Sequence, residues 1–322
     1  MRLGCDIGGT FTDFVWIDDS TGEIKLEKVP TTPAAPEKGV LNGIDVYREA
    51  SPGFARDLDV LVHGTTLVIN ALIERKGSPT ALITTAGFRD ILEMRNEIRY
   101  DIYDLQLEFP QPLVPRYLRF EIDERISASG KVLEPIDVAP LAQMLPTLRE
   151  NGISTVAVVL LHSYANPAHE RQIERWFARN APEIAISLSS EILPRIREYG
   201  RTSTTVATAY VKPKVRDYLD RLQTALGDLS FSGDFFMMQS SAGVIKAELA
   251  KEHPARVIES GPAAGVAAAA WWAKYCGFSD ILAFDMGGTT AKLCAVMGGV
   301  APTTDEYEVA LFTTRRRGPA CR

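Results

Sequence analysis

The chain has 322 residues, 46% hydrophobic and 24% charged, which are ordinary values for a globular protein and exclude a disordered or fibrous chain. Its 35 basic and 41 acidic residues give a formal net charge of −6, so no global positive field favours nucleic acid or an anionic membrane. Four widely spaced cysteines without a CxxC motif exclude a disulfide framework and a zinc ribbon. We expect a cytoplasmic protein of two domains that binds neither nucleic acid nor membrane.

Strand-like and helix-like patterns alternate along the chain, as they do in α/β domains. Helices are predicted over residues 166–177 and 202–226, the second with a kink at Pro213, which lacks an N–H donor. Residues 100–138 are rich in proline and charge and are predicted to be irregular or an inserted substructure. Short β-branched runs predict strands at residues 58–62, 81–84, 155–161, 184–188 and 281–284.

The most informative pattern is an internal repeat. Residues 5–18 read CDIGGTFTDFVWID and residues 284–297 read FDMGGTTAKLCAVM, each an apolar strand ending in Asp, then Gly-Gly-Thr, then a second apolar strand. One copy alone would be explained as a glycine turn between antiparallel strands. Two copies favour phosphate binding, because glycines turn backbone N–H groups toward phosphate oxygens and a carboxylate can hold hydrated Mg²⁺.

These two hairpins resemble those of the actin, Hsp70 and sugar-kinase superfamily, in which two ribonuclease-H-like lobes hold ATP between them. The segment ESGPAAG at residues 259–265, followed by an alanine-rich run, resembles the connecting helix of that superfamily. Taken alone, it would be an ordinary buried helix. The resemblance implies an α/β fold with ribonuclease-H-like lobes. The chain ends about 25 residues after the second hairpin, so we expect the second lobe to be incomplete.

More narrowly, the chain resembles the A-type subunits of the hydantoinase/oxoprolinase family, which includes ATP-dependent hydantoinases, 5-oxoprolinase and acetone carboxylase subunits. The resemblance implies ATP with Mg²⁺, phosphorylation of the carbonyl oxygen of a cyclic amide (a hydantoin, 5-oxoproline or a related lactam), and a B-type partner subunit. Phosphorylation of a ketone or bicarbonate stays open, as does a truncated chain that binds nucleotide or a partner without turnover. The segments that carry the resemblance are DIGGTFTD (6–13), HGTTLVINALIERKG (63–77), RYDIYDL (99–105), SYANPAHE (163–170), REYGRTSTTVATAYVKP (197–213), MQSSAGV (238–244), ESGPAAGV (259–266) and FDMGGTTAK (284–292).

The same resemblance implies roles for the hairpin residues. Asp6 and Asp285 would be catalytic and would hold the Mg²⁺ ion, while Asp13 and Lys292 are weaker candidates. The first lobe would comprise residues 1–198, and residues 199–322 would begin the second. The predicted phosphate-binding residues are Gly8, Gly9, Thr10, Gly287, Gly288, Thr289 and Thr290.

The HGTT segment supplies further candidates. It follows a predicted strand and opens a helix at about Thr66, where Thr65 and Thr66 either offer donors to an oxyanion of the substrate or only cap the helix. Asn70 lies four residues after Thr66 and faces the same side. His63 ends the strand and is a candidate catalytic residue, with a hydrogen-bonded structural histidine as the alternative.

Two arginines complete the predicted site. Arg95 and Arg99 share an i, i+4 relation if they are helical, and together they could hold a substrate carboxylate; the alternative is a pair of solvated surface arginines. No HExxH, GxSxG or GxxxxGK[ST] motif occurs, which argues against a zinc hydrolase, a serine esterase and a P-loop ATPase.

Overall fold

The computed structural model describes residues 1–97, 102–106, 108–286 and 291–304, and the chain divides into two units. Within these residues, unit 1 comprises residues 1–71 and 215–304, and unit 2 comprises residues 72–214. Unit 2 is therefore an insertion between two parts of unit 1. The family boundary predicted at residues 198/199 stays a prediction.

The secondary structure alternates between strands and helices, as predicted. The strands are β1 (Arg2–Ile7), β2 (Phe11–Ile17), β3 (Ile24–Pro30), β4 (Val60–Thr65), β5 (Thr80–Thr85), β6 (Arg119–Ile122), β7 (Arg125–Ile126), β8 (Val132–Glu134), β9 (Thr155–Val159), β10 (Ala185–Leu188), β11 (Asp234–Met238), β12 (Val244–Lys246), β13 (Ile281–Met286) and β14 (Ala291–Val296). The helices are α1 (Pro36–Ala50), α2 (Leu67–Ile73), α3 (Ile91–Met94), α4 (Leu141–Glu150), α5 (Ala168–Asn180), α6 (Ser189–Ile192), α7 (Glu198–Asp228), α8 (Ala247–Glu252) and α9 (Ser260–Tyr275).

Unit 1 is built on a six-stranded sheet with the order β12-β11-β4-β1-β2-β3. Strands β1, β2 and β3 are antiparallel neighbours, whereas β4 pairs parallel with both β1 and β11. Three antiparallel strands followed by two parallel ones form the ribonuclease-H-like arrangement, so the predicted fold class is confirmed. In the described part of the second lobe, β13 and β14 form a separate antiparallel pair.

Helix α1 covers one face of this sheet. It begins at Pro36, which has no N–H to leave unbonded in the first turn, and it buries Val40, Gly43, Ile44 and Tyr47. Their spacing of three, one and three residues places them on one stripe of the helix. At Gly43 the helix lies directly against the ring of Phe14, leaving no room for a side chain.

Unit 2 contains a parallel four-stranded sheet with the order β10-β9-β5-β6. Strands β5 and β9 are buried at every position, which is typical of a parallel sheet covered on both faces. The segment 100–138, predicted as irregular or inserted, contributes β6 to this sheet and forms the small β7–β8 pair. Helix α7 runs through Pro213 and contributes residues to both units.

Buried polar side chains gather where the strands of this parallel sheet end. The carboxylate of Glu170 accepts hydrogen bonds from the Leu160 N–H (3.0 Å) and the Ser189 hydroxyl (2.6 Å). The guanidinium of Arg201 donates to the Leu160 carbonyl (2.8 Å) and the Ser163 hydroxyl (3.3 Å). Arg201 is buried and connects the start of α7 to the end of β9. No helix in the described part of the chain is long and apolar enough to cross a membrane.

Gly43→Ala should destabilise the fold. A β-carbon at this position would lie 2.1 Å from two atoms of the Phe14 ring, so helix and sheet must separate. We expect a loss of about 2 kcal/mol in the free energy of unfolding, measured by urea denaturation. Gly227→Ala is the matched control, because it also lies in a helix but has no neighbour within 4 Å, and it should be neutral or stabilising. Equal stability of the two variants would contradict the close packing of α1.

Candidate functional site

The first hairpin places its glycines at a tight turn between β1 and β2. Asp6 pairs with Asp13 across the two strands, and the Gly8 N–H donates to the Phe11 carbonyl at 2.9 Å. Thr31, which follows β3, makes two hydrogen bonds to the backbone of the β1–β2 turn. Its hydroxyl donates to the Gly8 carbonyl (3.0 Å) and its N–H donates to the Thr10 carbonyl (2.9 Å). Sequence reasoning missed Thr31, because no motif links it to the hairpin.

Asp6 lies at the centre of the candidate site. Its carboxylate faces two glycines, since a β-carbon at Gly64 would lie 2.6 Å from Asp6 Oδ1 and one at Gly261 would lie 3.1 Å from both carboxylate oxygens. Asp6 Oδ1 is buried and has no hydrogen-bond partner among the described residues. Burial, followed by the charges of Asp13 and Asp285, raises the pKa of Asp6, while the charge of Lys292 opposes this shift.

This environment fits a cation. A buried carboxylate oxygen that accepts no hydrogen bond is costly, and a bound ion would satisfy it. Mg²⁺ is typically held by one or two carboxylates together with water and substrate phosphates. Asp6 and Asp285 could supply two such carboxylates. Among the described residues no cluster of three or more His, Cys, Asp or Glu side chains forms a protein-only metal site.

The second hairpin repeats the pairing of the first. In β13 and β14, Asp285 lies opposite Lys292, just as Asp6 lies opposite Asp13 in the first copy. The charge of Asp285 contributes to raising the pKa of Asp6, and the assignment of both carboxylates to one metal site stays a prediction. The predicted phosphate-binding residues Gly287, Gly288, Thr289 and Thr290 lie outside the described residues.

The HGTT segment joins the first hairpin to α9. The Thr65 N–H donates to the Ser260 hydroxyl, and that hydroxyl donates to the Thr65 carbonyl, each at 3.1 Å. The Thr66 hydroxyl donates to the Ile7 carbonyl at the end of β1 (3.3 Å), and the Asn70 amide donates to the Thr66 hydroxyl (3.2 Å). The motif ESGPAAGV does not reveal this role of Ser260, because it depends on the contact between β4 and α9.

These contacts bear on the predicted substrate residues. The Thr65 hydroxyl accepts the Leu67 N–H at 3.1 Å, so this side chain is engaged in capping α2. Helix α2 has only seven residues, and the geometry favours the capping alternative over an oxyanion site at its N-terminus. Contacts of Thr65, Thr66 and Asn70 with substrate stay predictions.

Arg95, predicted to face Arg99 if both are helical, does not lie in a helix. Helix α3 ends at Met94, and Arg95 has a φ of +56°, which is incompatible with a continuing right-handed helix. The Arg95 guanidinium instead donates to the Pro110 carbonyl (2.6 Å) and lies over the Phe109 ring, 4.5 Å from its centre. Arg99 lies outside the described residues.

His63, predicted as a catalytic residue, lies in the core of unit 1. It is completely buried, and its Nδ1 is 3.3 Å from the Cys5 carbonyl, which can only accept. Nδ1 therefore carries the proton, and Nε2 accepts from the Tyr218 hydroxyl at 2.6 Å. With its basic nitrogen already bonded, His63 fits the structural alternative better than the role of a general base.

Comparison with known proteins agrees with this geometry. The family profile described as hydantoinase/oxoprolinase N-terminal region matches residues 2–181, and the profile described as hydantoinase/oxoprolinase matches residues 201–318. An uncharacterized protein of Methanocaldococcus jannaschii is 40% identical over 311 residues, which cover 96% of this chain and 45% of that protein.

Two similar proteins have named activities. Caprolactamase subunit alpha of Pseudomonas jessenii is 33% identical over 304 residues, which cover 92% of this chain and 44% of that subunit. The nucleotide-free structure of acetone carboxylase, an enzyme of ATP-dependent acetone carboxylation, matches with a TM-score of 0.83 at 27% identity, over 93% of this chain and 44% of that chain. The chain therefore spans less than half the length of the relatives it matches.

The burial of His63 predicts a pH dependence. Burial lowers its pKa to about 4, against an ordinary value near 6.5. Because the unfolded chain binds the proton first, the free energy of unfolding should fall as the pH drops from 6.5 toward 4, by on the order of 3 kcal/mol from this residue. Its contribution is fully present above pH 6.5. Histidine NMR should show His63 signals, assigned with His63→Gln, that stay constant between pH 5 and 8. A His63 signal titrating near pH 6.5 would contradict the buried, neutral assignment.

Proposed function

Because the chain belongs to the hydantoinase/oxoprolinase family, we propose that it forms the nucleotide-binding part of an ATP-dependent enzyme. The observation that carries the proposal is the buried carboxylate of Asp6, which has one oxygen without a hydrogen bond and lies within electrostatic reach of Asp285. The similar caprolactamase and acetone carboxylase structures are both described as ATP-dependent. A site with two carboxylates and two glycine turns suits Mg²⁺ and the phosphates of ATP.

Each part of the site has a proposed role. Asp6 and Asp285 are the residues that would hold Mg²⁺, which when bound neutralises charge on the phosphate oxygens. Asp6 is desolvated, which strengthens its attraction for a cation. Thr31 fixes the first turn so that its backbone N–H groups need little rearrangement on binding. The residues proposed to bind phosphate are Gly8, Gly9, Thr10, Gly287, Gly288, Thr289 and Thr290.

The proposed phosphoryl acceptor is the carbonyl oxygen of a cyclic amide, such as a hydantoin, 5-oxoproline or another lactam. This oxygen attacks the γ-phosphorus of ATP, and the bond from that phosphorus to ADP breaks. Water then adds to the activated carbon, the C–N bond breaks and the nitrogen takes a proton derived from that water, which leaves an acyl phosphate. A second water hydrolyses the acyl phosphate to the carboxylate and inorganic phosphate. Similarity to caprolactamase subunit alpha supports this acceptor and supports a separate B-type partner subunit.

A ketone or bicarbonate is the second candidate acceptor. Similarity to the acetone carboxylase structure supports it, although the caprolactamase structure matches about equally well, with a TM-score of 0.82. The two candidates differ in which compound stimulates release of ADP from the complete enzyme. A lactam would do so in the first case, and acetone with bicarbonate in the second.

The metal site is tested by calorimetric titration with Mg·ATP. We expect the purified chain to bind with a micromolar dissociation constant, and expect Asp6→Asn and Asp285→Asn each to weaken binding at least tenfold, because each removes a proposed ligand of Mg²⁺. Asp45→Asn is the control, since Asp45 pairs with Arg48 on the surface of α1 and should leave binding unchanged.

Thermal unfolding separates loss of the site from loss of the fold. Asp6→Asn removes a carboxylate whose burial is unfavourable, so its melting temperature should be no lower than that of the parent chain. Unchanged binding in both site variants would contradict the metal site. Absence of binding by the folded parent chain would contradict the proposal that this part of the protein binds ATP on its own.

A further inference from the structure

Lys292 and Glu259 form an ion pair beside the candidate site. Lys292 lies on β14, opposite Asp285, and its ammonium group donates to the Glu259 carboxylate. The Glu259 side chain is only 15% exposed and that of Lys292 is 34% exposed, so both are partly withdrawn from solvent. The pair therefore joins the second hairpin to the residue that immediately precedes α9.

Glu259 is itself firmly held. Its N–H donates to the Ser240 hydroxyl at 3.1 Å, and this hydroxyl donates to the Arg256 carbonyl, also at 3.1 Å. The Ser240 N–H donates to the same carbonyl at 2.8 Å. Ser240 follows β11, so the Glu259 backbone is attached to the central sheet of unit 1.

The next two residues reach the first half of the candidate site. Ser260 exchanges hydrogen bonds with the backbone of Thr65, and Gly261 lies against the carboxylate of Asp6. The segment 259–261 thus contacts the first metal ligand through Gly261 and the second hairpin through Glu259. A displacement of Lys292 from Glu259 would alter the position of Asp285 relative to Asp6.

We propose that Glu259 and Lys292 are positioning residues, whose ion pair holds the second hairpin so that Asp285 faces Asp6. The inference rests on the proposed nucleotide site and identifies residues that organise it. Lys292 acts through Glu259 and not by contact with phosphate. If the Lys292 ammonium group contacted phosphate directly, nucleotide binding would require a positive charge at position 292, whatever residue stands at position 259.

Exchanging the two charges distinguishes these roles. Glu259→Lys and Lys292→Glu each place two like charges together and should raise the dissociation constant for Mg·ATP about tenfold. The double variant with both exchanges restores an ion pair of reversed polarity, and it should return to within about threefold of the parent chain. Binding by the double variant that is as weak as that of Lys292→Glu would overturn the proposal and indicate that the charge of Lys292 is needed at its own position.

Hydrogen exchange gives a readout that does not need the nucleotide. Amide exchange in the peptide that covers β13 and β14 should be faster in Glu259→Gln and Lys292→Met than in the parent chain, and the charge-exchanged double variant should restore it. Unchanged exchange in both single variants would overturn the proposal. If the parent chain fails to bind Mg·ATP, the proposed function fails, while this exchange measurement still decides whether the pair positions the hairpin.

A matched control is available elsewhere in unit 1. Lys251 pairs with Asp220 at 2.5 Å; the Lys251 side chain is 15% exposed and that of Asp220 is 55% exposed, so here the lysine is the partly buried partner. Lys251→Met should leave both exchange in β13–β14 and Mg·ATP affinity unchanged. Effects equal to those of Lys292→Met would show that loss of any such pair acts through general stability, and would overturn the specific role.

Discussion

The first lobe is organised around the Asp6 side chain, which has one buried carboxylate oxygen without a hydrogen-bond partner among the described residues. A buried carboxylate oxygen without a hydrogen bond costs free energy, so packing and hydrogen bonds of the surrounding residues must hold it in place. Glycines at positions 64 and 261 let β4 and the start of α9 approach the carboxylate of Asp6 more closely than any side chain would permit. Ser260 then fastens these two segments together. In the proposed function this cost is offset when a cation binds to Asp6.

The buried polar groups of unit 2 differ from Asp6 in unit 1 in how completely they are hydrogen-bonded. In unit 2, Glu170 and Arg201 lie at the ends of parallel strands, a common location of ligand sites, yet the Glu170 carboxylate and the Arg201 Nη atoms bond to neighbouring backbone and hydroxyl groups. Such a network rigidifies the fold and has little capacity left for a ligand. At Asp6 the opposite holds. The candidate site is distinguished by a carboxylate oxygen that accepts no hydrogen bond from the described residues, and not by the presence of polar side chains alone.

The pattern of the repeat at residues 5–18 and 284–297 predicts hairpins, because a strand, a glycine turn and a strand are determined locally. The fold class was predicted from the resemblance of this repeat to the actin, Hsp70 and sugar-kinase superfamily. The inserted unit and the roles of Thr31 and Glu259 were not predictable, because they depend on contacts between distant segments. His63 and Arg95 show the same limit. Whether a histidine is a base or a core residue depends on Tyr218, 155 positions away. Whether Arg95 continues a helix depends on a backbone turn that its neighbours do not reveal.

The Lys292–Glu259 ion pair is one of the contacts that hold the second hairpin in place. In β13 and β14 the side chains of Leu282, Phe284 and Met286 are more than 60% exposed, and a two-stranded hairpin is marginally stable by itself. On the neighbouring helix α9, Trp271 and Trp272 are also more than half exposed. Apolar packing in the described structure is therefore confined to the other face of the hairpin, where Val296 is fully buried. Where packing is weak, a directional contact between two charges determines orientation, and orientation is what a metal site with one ligand on each hairpin requires.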